Sequence, residues 1–194
     1  MEIIRKTIEN DGEYLRQISK EVLFNDDTYK KDIKLLEEFC KNTACFALAA
    51  VQIGIPKRIV YLKNTTLDIA LEDKNYNEAK VLINPVIISQ RGLTKYWESC
   101  VSCLDYTGLV YRPYEMIINY YDQYKQLHEE KFEGFGSTVL SHELDHLDGI
   151  LHMDIAEEVL DIPKAQRGAF RENHPYEIIS KTCDYNKKVR KLVK

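Results

Sequence analysis

A chain of 194 residues is long enough to form one domain with a complete hydrophobic core. Its formal net charge of −4 gives no indication of general nucleic-acid binding, and no segment approaches the apolar length of a membrane span. The five cysteines are odd in number and irregularly spaced, which is typical of a reducing compartment, and residues 1–6 lack the apolar core of a signal peptide. We therefore expect a cytoplasmic protein that binds neither DNA nor a membrane.

The first predicted elements are a helix and two strands. Apolar residues at helical spacing predict a helix from about Tyr29 to Asn42. Residues 58–62 and 81–88 have the composition of strands, and the polar stretch 64–80 between them indicates a loop or short insertion.

The second half of the chain predicts a strand meander followed by one helix. The meander has a turn near Asp122 and its three strands cover residues 109–111, 116–121 and 127–132. Gly134 and Gly136 lead into the helix, which Gly149 ends. Strands around one buried helix indicate an α+β fold in a single domain spanning 1–194, and the tail beyond about Pro163 is the part that the pattern defines least.

The predicted second helix carries a metal-binding pattern. His142 and His146 stand four residues apart, so both rings project from one face and can bind one metal ion. Glu143 lies between them and is suited to accept a proton from a water on that metal. The alternative is a solvated helix face with two surface histidines. Apolar residues flank the motif and favour a buried helix, whose histidines need partners.

A third ligand is needed, because catalytic sites usually have three protein ligands and one open position. Cys100 is a strong candidate, since a thiolate binds zinc or ferrous ions well. Its C-x-x-C spacing with Cys103 also suits half of a zinc ribbon or a redox pair, but the chain has no second such pair. His152 is expected to lie past the site, and Glu157 and Glu158 remain alternatives for a thermolysin-like arrangement.

Three segments resemble, in order, the motifs of the peptide deformylase family. The family patterns are GxGxAAxQ, EGCxS and QHExDHLxG, and the matching segments are CFALAAVQ at 45–52, ESCVS at 98–102 and SHELDHLDG at 141–149. The resemblance covers residues 1 to about 160. It implies antiparallel strands packed around one buried metal-binding helix. It also implies a hydrolase that removes the formyl group from N-formylmethionyl peptides of nascent proteins and releases formate.

The resemblance also assigns roles to individual residues. One divalent ion, Fe²⁺ as the native ion with Zn²⁺, Ni²⁺ or Co²⁺ as alternatives, would be held by Cys100, His142 and His146. Glu143 would act as the general base. The side-chain amide of Gln52 and the backbone N–H of Val101 would stabilise the oxyanion.

A substrate pocket is predicted beside the metal helix. Phe135 and Val139 fall on the same helical stripe as the two histidines and would form an apolar pocket suited to a methionine side chain. Phe46 would close the other wall, and Glu98 would contact the metal ligands or the substrate amine by resemblance. The alternative, that Phe135, Val139 and Phe46 are ordinary core residues, remains open.

The chain departs from the family motifs at several positions. Cys45, Ala47 and Ser99 stand where the family has glycine, and Ala47 and Ser99 would border the substrate. Ser141 replaces a glutamine, and Thr107 stands near a position where members often carry arginine. We expect a narrowed but open cleft and reduced activity.

Two other functions are alternatives to a working deformylase. One is a catalytically weak or silent deformylase-like protein that binds peptides or the ribosome, and the other is an HExxH zinc endopeptidase. The expected partners are N-formylmethionyl nascent peptides. The basic tail, residues 181–194, suggests contact with the ribosome near the exit tunnel, although a solvated C-terminal helix would explain the same charges.

Overall fold

The computed structural model describes residues 4–25, 27–43, 45–63 and 79–186. The helices of this part are α1 (Ile8–Leu15), α2 (Thr28–Thr43), α3 (Gly134–Leu147), α4 (His152–Ile155) and α5 (Arg167–Asn173). The strands are β1 (Ala47–Ala49), β2 (Ile59–Lys63), β3 (Ala79–Ser99), β4 (Tyr106–Arg112), β5 (Glu115–Tyr121), β6 (Leu127–Glu133), β7 (Glu158–Asp161) and β8 (Glu177–Asp184). A short 3₁₀ helix, Ala50–Ile53, follows β1, and another, Lys164–Gln166, precedes α5.

All eight strands form one antiparallel sheet organised around β3, which is 21 residues long. The first part of β3 pairs with β2 and β5, and its second part pairs with β4 and β8. Gly92, between the two parts, has φ +75°, and a Cβ there would lie 2.6 Å from the Cβ of Tyr114. Only glycine fits where the chain passes so close.

Helix α3 is buried against the sheet. Its residues Leu140, Leu144 and Leu147 join an apolar cluster with side chains of β2, β3 and β5. The helix ends at Leu147, and Gly149 follows with φ +71°, where a Cβ would collide with the Arg16 carbonyl oxygen. The predicted C-terminal glycine and the predicted α+β fold, with antiparallel strands around one buried helix, are both confirmed.

The first helix and the strands at 58–62 and 81–88 are confirmed, but β3 extends through Ser99 where the sequence pattern stopped at 88. The missed part begins with the polar residues 89–91 and Gly92, which in a sequence indicate the end of a strand. The predicted meander is wrong in one respect. Strands β5 and β6 form a hairpin, but β4 and β5 do not pair with each other, because each pairs with a different part of β3.

The C-terminal region also differs from expectation. Helices α4 and α5 were not predicted, and residues 181–184 of the basic tail belong to β8, not to a solvated helix. Residues 187–194, and most of the predicted loop 64–80, lie outside the described residues. In the part of the chain that is described, no helix has the length and apolarity to cross a membrane.

Candidate metal centre

The structure brings together the three residues that the sequence predicts as metal ligands. Cys100 follows the end of β3, and His142 and His146 lie on α3. One ligand atom from each lies within 4.8 Å of the other two, and the Nε2 of His146 is 3.2 Å from the Cys100 sulfur. A soft thiolate with two imidazoles suits zinc and ferrous ions, and three protein ligands leave a position for water or substrate. The donor set therefore fits one divalent ion.

A buried charge network orients His142. Its Nδ1 donates to the Glu98 carboxylate at 2.9 Å, which leaves Nε2 free to bind a metal. Arg112 donates to both oxygens of Glu98, at 2.7 and 2.8 Å, and also to Asp145 on α3. Burial opposes the ionisation of Glu98, but the Arg112 guanidinium outweighs it and holds the pKa of this carboxyl well below its ordinary value. Both Glu98 oxygens are engaged, which favours a positioning role over the expected contact with the substrate amine.

Glu143 lies beside the ligands and is 6% exposed. Within the described residues its Oε2 has no hydrogen-bond partner. Burial raises the pKa of this carboxyl to about 7, against the opposing effect of His142. A general base is most effective when its pKa lies near the working pH. The burial and the raised pKa of Glu143 suit the predicted role of proton acceptor, which stays a prediction.

Gln52 and the backbone N–H of Val101 are the two hydrogen-bond donors predicted for this centre. The buried Gln52 accepts from the Ala49 N–H through Oε1, and its Nε2 donates to Ser102 at 3.0 Å and lies 3.4 Å from the Cys100 sulfur. The 3₁₀ helix after β1 thus directs the amide group of Gln52 at Cys100. In the described part of the chain, nothing accepts a hydrogen bond from the backbone N–H of Val101. The Gln52 amide thus already has two acceptors, Ser102 and the Cys100 sulfur, and the roles of Gln52 and Val101 as oxyanion donors stay predictions.

The residues predicted to line the substrate pocket lie on α3 and at the start of β1, and Val139 packs against the core cluster of Leu140 and Leu144. Phe135 and Val139, on α3, are half-buried, and the Phe135 ring meets Tyr96 edge to face with centroids 5.3 Å apart. Phe46 is 45% exposed and precedes the half-buried Ala47 at the start of β1. Phe135, Val139 and Phe46 are neither fully buried nor isolated in solvent. Their role as pocket residues stays a prediction.

Sequence reasoning missed two C-terminal residues that contact this region. Arg171 on α5 donates to the Ser99 hydroxyl at 2.9 Å, and that hydroxyl is 2.9 Å from Thr107. The Tyr176 ring packs edge to face on Phe135 with centroids 5.4 Å apart. Arg171 lies more than 70 positions after Ser99, and Tyr176 lies more than 40 positions after Phe135. Both are in a polar segment, where no motif predicts these contacts.

The expectation that His152 lies past the site is wrong. Helix α4 turns back after Gly149, so the His152 ring is buried and stacks on His142 with centroids 5.7 Å apart. It is not part of the three-residue ligand group, and burial lowers its pKa to about 4. Glu157 binds the Tyr111 hydroxyl and Glu158 is exposed on β7, so neither joins that group.

Comparisons with known proteins agree with this centre. The family model described as polypeptide deformylase matches residues 4–160. Curated relatives include peptide deformylases from Pelagibacter ubique, 32% identical over 78% of this chain and 85% of that protein, and Bradyrhizobium diazoefficiens, 34% identical over 78% and 86%. A solved structure of a probable peptide deformylase from Synechococcus phage S-SSM7 superposes with a TM-score of 0.68 at 29% identity, over 79% of this chain and 99% of that one.

Together, the antiparallel sheet, the buried helix and the thiolate and imidazole donors beside a buried carboxylate define the class of a metal-dependent hydrolase. The chain belongs to the polypeptide deformylase family. Members of this family remove the formyl group from formylmethionyl peptides, so the expected enzyme class is confirmed and the zinc endopeptidase interpretation loses its support.

Proposed function

We propose that this chain hydrolyses the formyl amide of N-formylmethionyl peptides and releases formate, using Cys100, His142 and His146 as metal ligands and Glu143 as general base. The observation that carries the proposal is the convergence of the three ligand atoms within 4.8 Å. The family to which the chain belongs performs the same reaction.

The chain's own residues supply the proton transfer and the charge stabilisation. When bound, the metal supplies a Lewis acid that lowers the pKa of water to about 7. Glu143 takes a proton from the water whose oxygen bonds to the formyl carbon. As the C–N bond breaks, Glu143 passes that proton to the departing amine, so the products are formate and a free N-terminus.

Gln52 and Val101 stabilise the negative charge that develops on the formyl oxygen. The Gln52 amide is held in place by Ala49 and Ser102, and its weaker contact, with the Cys100 sulfur at 3.4 Å, would be exchanged for the formyl oxygen. Losing one such donor typically costs about 10²–10³ in turnover.

The native ion that we propose is Fe²⁺, which the thiolate and imidazole donors suit, although they also suit zinc. We further propose a cytoplasmic enzyme that forms one domain over residues 1–194 and that meets nascent chains at the ribosome through its basic tail. The proposed thiolate ligand requires a reducing compartment, which supports the cytoplasmic location. The run of charges at 187–191 motivates the proposed contact with the ribosome.

The proposal is tested by measuring formate release from formyl-Met-Ala-Ser with ferrous and zinc forms of the protein side by side. We expect both forms to be active, with the ferrous form faster. Cys100→Ala should lower metal content and activity together. Retention of the metal by Cys100→Ala would remove Cys100 from the ligand set.

A further inference from the structure

Arg171 is anchored at the end of β3 that leads to Cys100, and it lies on a segment that follows the part of the chain matched by the family, which ends at residue 160. Its Nη2 donates to the Ser99 hydroxyl at 2.9 Å, and both Nε and Nη2 donate to the Trp97 carbonyl at 3.2 Å. Ser99 directly precedes Cys100. The guanidinium group is therefore held one residue away from a proposed metal ligand.

The guanidinium of Arg171 is held in one orientation, but not all of its N–H donors have an acceptor in the described part of the chain. Its Cζ lies 5.2 Å from the centroid of the Tyr96 ring, a cation–π contact that fixes the plane of the group. An arginine has five N–H donors. Among residues 4–25, 27–43, 45–63 and 79–186, no carboxylate forms a salt bridge with Arg171 and nothing accepts from Nη1. A half-buried, pre-oriented guanidinium with unused donors is suited to bind an oxygen acceptor from a ligand.

The end of β3 next to Arg171 lacks a second strand partner, although the Trp97 carbonyl there accepts from Arg171. Pairing between β8 and β3 ends at Lys95, so residues 96–99 have β4 on one side and no strand on the other within the described chain. An extended peptide can lie along such an edge. If the formyl carbon lies at the metal centre, residues after the methionine that follow this edge would pass Arg171.

The same C-terminal segment also touches the predicted side-chain pocket. Tyr176 packs on Phe135, and Tyr96 lies between Phe135 and Arg171. Arg171 is therefore separated from Phe135 by the Tyr96 ring and lies at the end of β3 that leads to Cys100. This is the place where a backbone carbonyl of the following residues would pass.

We propose that Arg171 is a substrate-binding residue that donates hydrogen bonds to a backbone carbonyl of the residues following the formylated methionine. The inference rests on the proposed deformylase function for the identity of the peptide. A hydrogen bond from a charged donor corresponds to about a ten- to one-hundredfold change in binding. Because the contact exists in both the bound and the reacting peptide, its loss should raise KM and leave kcat nearly unchanged.

The test compares two substrates, formyl-Met-Ala-Ser and formyl-methionine amide, the second of which lacks the following residues. For Arg171→Met we expect KM for the tripeptide to rise about ten- to one-hundredfold and KM for the amide to stay near that of the parent. Arg171→Lys should recover part of the loss, since it keeps the charge but not the fork of donors.

Arg167→Met is the matched control, because Arg167 holds the same helix to the carbonyls of Leu104 and Ile162 without reaching Ser99. It should lower thermal stability and leave the ratio of the two KM values unchanged. If Arg171→Met weakens both substrates equally, or if Arg167→Met gives the same selective loss, the role of Arg171 is structural and the inference is wrong.

Calorimetric binding of the product Met-Ala-Ser to the metal-loaded protein provides a second readout. We expect weaker binding by Arg171→Met than by the parent at equal metal content. A parent that binds Met-Ala-Ser but releases no formate would refute the proposed function and leave this inference standing. Equal binding by parent and variant, or no binding by the parent, would refute the inference itself.

Discussion

At the scale of the single residue, a substitution of Glu143 tests catalysis separately from metal binding. Glu143→Gln keeps the size of the side chain but removes the proton acceptor. We expect the variant to retain its metal and to lose about 10²–10⁴ in kcat, the usual contribution of a general base. Metal content by atomic absorption and formate release on the same samples check this. Loss of the metal from the variant would instead identify Glu143 as a ligand.

Cys45 gives a pH-dependent prediction at the same scale. Its hydrogen bond with the Cys40 thiol, aided by the Thr43 hydroxyl 3.0 Å from its sulfur, lowers its pKa to about 6 in spite of partial burial. The thiolate is the reactive form, so alkylation by iodoacetamide should reach half its maximum rate near that pH, instead of about 8.5 as for a free cysteine. Peptide mapping distinguishes Cys45 from Cys183. Cys40→Ala should move the midpoint upward, and a parent midpoint near 8.5 would contradict the predicted shift.

At the scale of the elements, Arg112 joins β4 to β3 through Glu98 and to α3 through Asp145. The guanidinium is 1% exposed, so Arg112→Met would remove the cation that both buried carboxylates contact. We expect a loss of about 3–5 kcal/mol in the free energy of unfolding, measured with urea.

Arg91→Met is the control for that loss. Arg91 also pairs with a carboxylate, Glu115, at 2.7 Å, but its own side chain is 57% exposed. Ion pairs with an exposed partner contribute about 0–1 kcal/mol. Equal losses in the two variants would mean that the buried network of Arg112 adds no more than a surface pair.

The elements also show what the sequence could predict. Helix α3 was predictable because its periodicity and its metal motif are both local. The pairing of β4 and β5 with different parts of β3 was not, because it depends on contacts between distant residues and on the length of β3. The ligand set required a resemblance to place Cys100, about 40 residues before His142. Arg171 and Tyr176 carry no local signal, and only the packing of the C-terminal segment brings them to the site.

At the scale of the whole molecule, β3 links the two parts of the sheet, and the proposed single domain should unfold as one unit. The only tryptophan, Trp97, is buried on β3 and packs edge to face on Phe170 of α5, with centroids 5.2 Å apart. Its fluorescence therefore reports on the C-terminal segment, whereas far-UV circular dichroism reports on the whole fold. We expect the two thermal transitions to coincide. A fluorescence change well below the dichroism transition would mean that the C-terminal segment is a separate unit.

The central claim, that the whole assembly is a working deformylase, is tested most directly by the products formed from formyl-Met-Ala-Ser. The ferrous protein should release formate and Met-Ala-Ser in equal amounts, with no Ala-Ser dipeptide, and a chelator should stop the reaction. Formate no higher than that of metal-free protein would contradict the claim in favour of a silent homologue. Accumulation of Ala-Ser would contradict it in favour of an endopeptidase.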